Sequence, residues 1–201
     1  MPLSDAIAYL SIFYSISTPI YVYKEWKNID KSHLKKLALS SFIGLLVGIV
    51  VLVYGQPLIL KKALGLFIIL FVLNSLRINK QLLIISKMKY VFGFFGGFFS
   101  GVFSSGGPLY VVVVKNETSD VKTFRATMFG VLGLVTMMRI PVLIFEGILT
   151  VGKLYNSFYV LPFFILSIFL GNKVYLKLNE VFFKKIMLAL LFISGIILLI
   201  K

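Results

Sequence analysis

Residues 90–115 read YVFGFFGGFFSGVFSSGGPLYVVVVK, an apolar stretch of membrane-helix length that is interrupted near its centre by SSGGP, residues 104–108. Inside a bilayer, backbone groups freed by such a break have no water to bind, so protein or a polar cavity must line the break. Many secondary transporters hold their substrates at broken helices near the middle of the membrane. The stretch therefore predicts a broken or re-entrant helix over residues 90–114, with a candidate transport site at the break.

The composition places the rest of the chain in the membrane as well. Hydrophobic residues make up 59% of the 201 residues, and the mean hydropathy is +1.00, more apolar surface than a soluble domain of this size buries. About seven apolar segments are visible, several of them near the roughly 20 residues that cross a bilayer. They are residues 3–23, 37–55, 63–76, 90–114, 126–146, 151–171 and 186–200. The sequence predicts an all-α, multi-pass protein of the cell membrane.

The charge distribution excludes other classes of protein. Lys and Arg number 21 against 7 Asp and Glu, and most of the basic residues lie between apolar segments. That pattern orients membrane spans and contacts anionic lipid headgroups, so we predict membrane lipids and no nucleic acid as partners. Cysteine is absent, and His33, the single histidine, is interpreted as a solvated loop residue, because a metal or proton-relay role has no partner nearby. Since no catalytic pair or metal cluster is visible, we expect no enzyme activity, no cofactor and no metal.

A weak internal repeat suggests two related halves. Residues 1–76 would form a three-helix half, residues 77–89 an interfacial linker, and residues 90–201 the second half with the broken helix. Shifting the first half along the chain aligns Lys61 and Lys62 with Lys184 and Lys185. Chance matching among apolar helices stays open as the alternative.

Loop charge indicates how the interrupted segment lies in the membrane. If it dips in and returns as a hairpin, residues 115–124 share a side with the basic loop at residues 24–36, and most Lys and Arg then lie on that side. A single crossing would divide the basic residues almost evenly between the two sides. The positive-inside rule therefore favours the hairpin, which also makes the two halves inverted in orientation.

The run GFFGGFFSGVFSSGGPLYVVVV, followed by TFRAT at residues 123–127 and later by Arg139, resembles the second-half signature of the sulfite exporter TauE/SafE family. That family is also called the 4-toluene sulfonate uptake permease family, and residues 170–201 resemble its last loop and helix. The resemblance implies a permease for sulfite, sulfonates or other small anions.

Two features depart from the family pattern: Ser104 replaces the first glycine of the GxGG element, and the first-half glycine element is missing. A truncated member, or a non-transporting scaffold or assembly partner, therefore stays open as an alternative. If the protein forms a homo-oligomer, the second copy could supply the second glycine-rich helix break.

Arg139 is the charged residue that calls most for explanation, because it lies deep in an apolar segment, where a charge is costly. We expect it to pair with a substrate anion or with Glu146, with snorkelling to the interface as the alternative.

Gly106 and Gly107 are expected to adopt backbone conformations closed to other residues and to present N–H groups to a ligand; a simple kink is the alternative. The spacing of Gly93, Gly97, Gly101 and Ser105 predicts a helix-packing stripe. The predicted substrate-binding residues are Ser104, Ser105, Gly106, Gly107, Pro108, Tyr110, Arg125 and Arg139.

Overall fold

The computed structural model describes residues 3–77, 88–118, 120–175 and 180–200, with side chains for all of these except 74–77, 116, 171–175 and 180–185. Eight α-helices account for nearly all of the described residues, which contain no strand. They are α1 (Leu3–Glu25), α2 (Lys31–Tyr54), α3 (Pro57–Arg77), α4 (Lys89–Phe103), α5 (Gly107–Glu117), α6 (Val121–Phe145), α7 (Val151–Tyr175) and α8 (Glu180–Ile200), with a 3-10 helix, η1 (Trp26–Asn28), after α1. The predicted all-α class is confirmed, and the interrupted segment supplies two of the helices.

Several helices have the length and composition of membrane spans. Among the described residues, four stretches are long and apolar enough to cross a bilayer: Leu3–Asn28, Lys31–Tyr54, Val121–Phe145 and Val151–Leu170. These findings agree with a polytopic membrane protein. Most of the predicted interfacial linker, residues 78–87, lies outside the described residues, so that prediction stays untested.

Two aspartates mark where helices begin. Asp30 caps α2 by accepting hydrogen bonds from the amides of Ser32 and His33, at 3.0 and 3.2 Å. Asp120 caps α6 in the same way, accepting from the amide of Thr123 at 2.8 Å. The hydrogen bond from the His33 side chain, aided by the backbone bonds, holds the pKa of Asp30 below its usual value. The polar loops between apolar segments thus terminate one helix and start the next.

The contacts divide the chain into two compact units. The first contains α1, α2, α4, α5 and α6, and the second contains α3, α8 and most of α7. This grouping does not test the predicted division into sequence-related halves, which stays a prediction.

In the first unit, α4 packs closely against α2 through small residues. A Cβ at Gly97 would overlap the backbone carbonyl of Ser41, and one at Gly101 would lie 2.6 Å from the carbonyl oxygen of Leu45. Gly44 and Gly48 of α2 are equally close to the α4 backbone. The packing role predicted for the glycine stripe is therefore confirmed for the part of it that lies in α4.

In the second unit, α3 packs against α8. A Cβ at Gly65 would lie 2.8 Å from the carbonyl oxygen of Gly195, and one at Gly195 would lie 3.2 Å from that of Gly65. Facing glycines thus allow these two backbones to approach, as they do between α2 and α4.

The arms of the broken helix return to the same end of the first unit. Lys89 begins α4 and Glu117 ends α5, yet Lys89 Nζ lies 3.7 Å from Glu117 Oε1. The arms have 15 and 11 residues, or about 22 and 16 Å of helix, so neither alone crosses the roughly 30 Å hydrocarbon core. The structure therefore contains a helical hairpin, as predicted, while its orientation in the membrane stays a prediction.

His33 ties this end of the hairpin to α2. Its Nδ1 lies 2.7 Å from Asp30 Oδ2, and its Nε2 pairs with Glu117 Oε2. The prediction that His33 is a solvated residue without a partner was wrong. The reason is that Glu117, distant in sequence, is brought to the start of α2 by the return of the hairpin.

Candidate functional site

A cavity of about 360 Å³ lies in the first unit, next to the tip of the hairpin. One wall is the break itself, with Ser100, Ser104, Ser105, Gly107 and Pro108. The other walls are faces of α1 and α6. The cavity is therefore bounded by the segment that the sequence singled out and by two long helices.

The break begins with a left-handed residue. Ser104, the C-cap of α4, has φ 56° and ψ 22°, and its amide donates to the Ser100 carbonyl oxygen at 3.0 Å. The amide of Ser105 donates to the Phe99 carbonyl oxygen at 3.3 Å. These bonds satisfy the last carbonyls of α4 and terminate the helix. Ser104 is the one non-glycine residue with positive φ in the described parts of the chain.

The second arm starts at the cavity wall. Gly106 caps α5, and Pro108 occupies the first turn, where its missing N–H removes no helical hydrogen bond. The amides of Leu109 and Tyr110 donate to the Gly106 carbonyl oxygen at 3.1 and 3.3 Å. The amide of Gly107 is not engaged by these bonds, and Gly107 lines the cavity. The positive end of the α5 dipole is therefore directed at this space.

The two glycines of the break differ from the prediction in their backbone conformation. Gly106 has φ −76°, a conformation open to any residue, but a Cβ there would overlap the Gly96 carbonyl oxygen and Ser100 Oγ. A Cβ at Gly107 would meet nothing within 4 Å. The expectation of unusual backbone conformations at both glycines was therefore wrong. Close packing accounts for Gly106, and the left-handed turn falls on Ser104 instead.

Arg139 of α6 reaches the break from the opposite wall. Its side chain is only 2% exposed, and Nη1 donates to the Ser100 carbonyl oxygen at 2.9 Å and to Ser104 Oγ at 2.8 Å. Its Nε is buried without a hydrogen-bond partner. The snorkelling alternative is excluded by this burial. No ion pair joins Arg139 to Glu146 in the described structure, where Glu146 caps the far end of α6.

The cavity contains a positive charge without a carboxylate to balance it. Its ionisable lining residues, within the part of the chain that the structure describes, are Tyr14, Tyr21 and Arg139. A buried charge is costly unless it is paired. A buried guanidinium beside a helix N-terminus is therefore an arrangement that favours an anion in the cavity.

The predicted site residues separate into two groups. Ser104, Ser105, Gly107, Pro108 and Arg139 are brought together around the cavity. Gly106, Tyr110 and Arg125 are not part of its lining.

Tyr110 and Arg125 lie in the protein interior and on its surface, respectively, rather than at the cavity. Tyr110 is fully buried, with its ring against Gly96, where a Cβ would lie 2.6 Å from Cε1. Arg125 is exposed in the first turns of α6. Whether any of these residues contacts a substrate stays a prediction.

The α1 wall of the cavity was not predicted from the sequence. Tyr14, Ser17, Thr18 and Tyr21 line it, and Tyr21 stacks on Phe129 of α6 with ring centroids 4.9 Å apart. The spacing of these hydroxyl residues follows one face of a helix, which was a readable signal. A polar stripe in an apolar helix also serves helix packing, so the spacing alone does not distinguish a cavity wall from an interface.

A polytopic helical protein with a helical hairpin and a buried cationic cavity at its tip has features in common with many membrane transporters. The model of one protein family, Sulfite exporter TauE/SafE, matches residues 1–198. The chain therefore belongs to the sulfite exporter TauE/SafE family, whose members are membrane transporters rather than enzymes. Comparison with curated proteins and comparison with solved structures each gave no match.

Proposed function

We propose that this protein is a permease that moves a small anion, namely sulfite, a sulfonate or a related organic anion, across the cell membrane. The observation that carries the proposal is Arg139, whose guanidinium is buried at the break of the hairpin without a carboxylate partner in the described structure. A bound anion would supply the missing counter-charge.

The chemistry of the cavity favours an anion over a cation. Cation sites in membranes use carboxylates or inward-facing carbonyl oxygens. The described lining contains no Asp or Glu, whereas hydroxyl groups of α1 and the break accompany Arg139. The Gly107 amide and the α5 dipole add positive potential at the same wall. A volume of about 360 Å³ leaves room for a small anion and some water.

Flux into proteoliposomes of the purified protein tests the proposal, with sulfite, methanesulfonate, acetate and simple cations as substrates. Arg139→Gln should preserve the fold and weaken anion affinity by about 1.5 to 3 kcal/mol, the range for a charge-assisted hydrogen bond, or roughly 10- to 150-fold. Lys122→Gln is the control, because it removes a positive charge from an exposed position of the same helix outside the cavity.

The alternatives predict different outcomes. Cation flux that Arg139→Gln leaves unchanged, with no anion flux, would contradict the anion permease. Absence of any flux from a folded, correctly inserted protein would instead favour a scaffold or assembly partner. Equal losses in the Arg139 and Lys122 variants would show that overall charge, not the cavity, controls transport.

A further inference from the structure

The cavity contains one formal positive charge among the described residues that line it, that of Arg139. Two lysines of the first unit are paired elsewhere: Lys89 pairs with Glu117, and Lys153 Nζ lies 2.6 Å from Asp5 Oδ1. Arg125 is exposed in the first turns of α6. No second Lys or Arg among the described residues therefore lines the cavity at the break.

Part of the hydrogen-bonding capacity of the cavity is already committed. Nη1 of Arg139 is occupied by Ser100 and Ser104, which leaves Nε as its unpartnered buried donor. The hydroxyls of Ser17 and Thr136 donate to carbonyl oxygens of their own helices, at 3.1 and 2.8 Å. The positive potential open to a ligand is thus one guanidinium plus the partial charge of the α5 N-terminus, about half an elementary charge.

This charge balance matches one negative charge. A second charge on the same ligand would be removed from water without a counter-charge, and effective penalties for such buried ions are large. Building on the proposed function, we infer that the cavity accepts monoanions and excludes dianions of similar size. For sulfite, the transported species is then the singly protonated hydrogensulfite ion.

Two sulfonates that differ in charge provide the direct test. Methanesulfonate is a monoanion, whereas methanedisulfonate is a compact dianion, and neither changes charge near neutral pH. In the wild-type proteoliposomes, the dianion should bind at least about 100-fold more weakly than the monoanion. Comparable affinity for both would overturn the charge selectivity while leaving the anion permease intact. Failure of both sulfonates and of sulfite to move would contradict the proposed function itself.

The pH dependence of sulfite flux is a second readout. Raising the pH converts hydrogensulfite to the sulfite dianion, so sulfite flux at fixed total concentration should fall in proportion to the monoanion. The flux of methanesulfonate, measured in parallel, controls for any effect of pH on the protein itself, because the charge of methanesulfonate does not change in this range. A sulfite flux that rises with pH relative to methanesulfonate would overturn the inference.

A second cation should change the selectivity. Thr136 lines the cavity three residues before Arg139, on the same face of α6. Thr136→Lys should improve the affinity for methanedisulfonate relative to methanesulfonate by about tenfold or more, whereas Thr136→Met, similar in length but neutral, should not. An unchanged ratio in a folded Lys variant would contradict the charge-balance argument. If the Lys variant does not fold, the wild-type comparison still decides the question.

Discussion

Ser104 makes two opposing contributions to the free energy of unfolding, and substitutions at this position can separate them. Its backbone is left-handed, with φ 56°, which costs a non-glycine residue about 1 kcal/mol relative to glycine. Its Oγ accepts a hydrogen bond from Arg139 Nη1 at 2.8 Å. A hydrogen bond to a charged group contributes about 1.5 to 3 kcal/mol.

Two variants should therefore differ in stability but not in binding. Ser104→Ala removes the hydrogen bond and retains the backbone strain, so we expect a loss of about 1.5 to 3 kcal/mol in the free energy of unfolding. Ser104→Gly also removes the bond but relieves the strain, so its loss should be smaller by about 1 kcal/mol. Both variants remove the same support from Arg139. Anion affinity should therefore fall in both, and to a similar extent.

Thermal unfolding in detergent micelles measures the stability difference, and titration with methanesulfonate measures binding. Equal stabilities of the Ala and Gly variants would refute the left-handed assignment of Ser104. Wild-type affinity in both variants would show that the position of Arg139 does not depend on the hydroxyl. A loss of affinity confined to the Ala variant would indicate that stability, rather than the hydrogen bond, controls binding.

Three further predictions concern the hairpin and its attachment. Gly106→Ala should destabilise the protein by about 1 to 3 kcal/mol because its Cβ overlaps Gly96 and Ser100, whereas Gly107→Ala should be nearly neutral in the same unfolding assay. Because the pKa of Asp30 is lowered in the folded protein, its charge stabilises the fold above pH 3.8, its unperturbed value, and this stabilisation is lost as the pH falls through the lower folded pKa. In Asp30→Asn, the free energy of unfolding should therefore decrease less on acidification than in the wild type. Cysteines introduced at Asn28 and Lys115 should react with an impermeant maleimide from the same side of the membrane, and labelling from opposite sides would refute the hairpin.

Much of the architecture was predictable because it depends on local physics. Apolar segment length predicts helices that suit a bilayer, and Pro108 with two preceding glycines predicts a break wherever the segment is placed. The hairpin followed from loop charge, since basic residues distribute asymmetrically across membranes. The prediction of a substrate anion near Arg139 rested on the cost of a charge in an apolar helix.

The details of the site were not predictable in the same way. The sequence predicted unusual backbone conformations at Gly106 and Gly107, because glycine is the residue that most often adopts the left-handed conformation. In the structure, the left-handed residue is Ser104. Glycine at position 106 is required by the nearby α4 backbone instead. That requirement depends on a neighbour that comes close only after the chain folds back on itself.

The amino-acid sequence by itself determined that this chain is a helical membrane protein, where its helix is broken, and that Arg139 needs an unusual partner. These are properties of single segments, set by hydrophobicity, glycine and proline, and the cost of burying charge. Tertiary structure alone decided that α1 forms a cavity wall, that Arg139 contacts Ser100 and Ser104, and that His33 meets Glu117. Each of those contacts joins residues far apart in the chain, and their geometry depends on how the helices pack together.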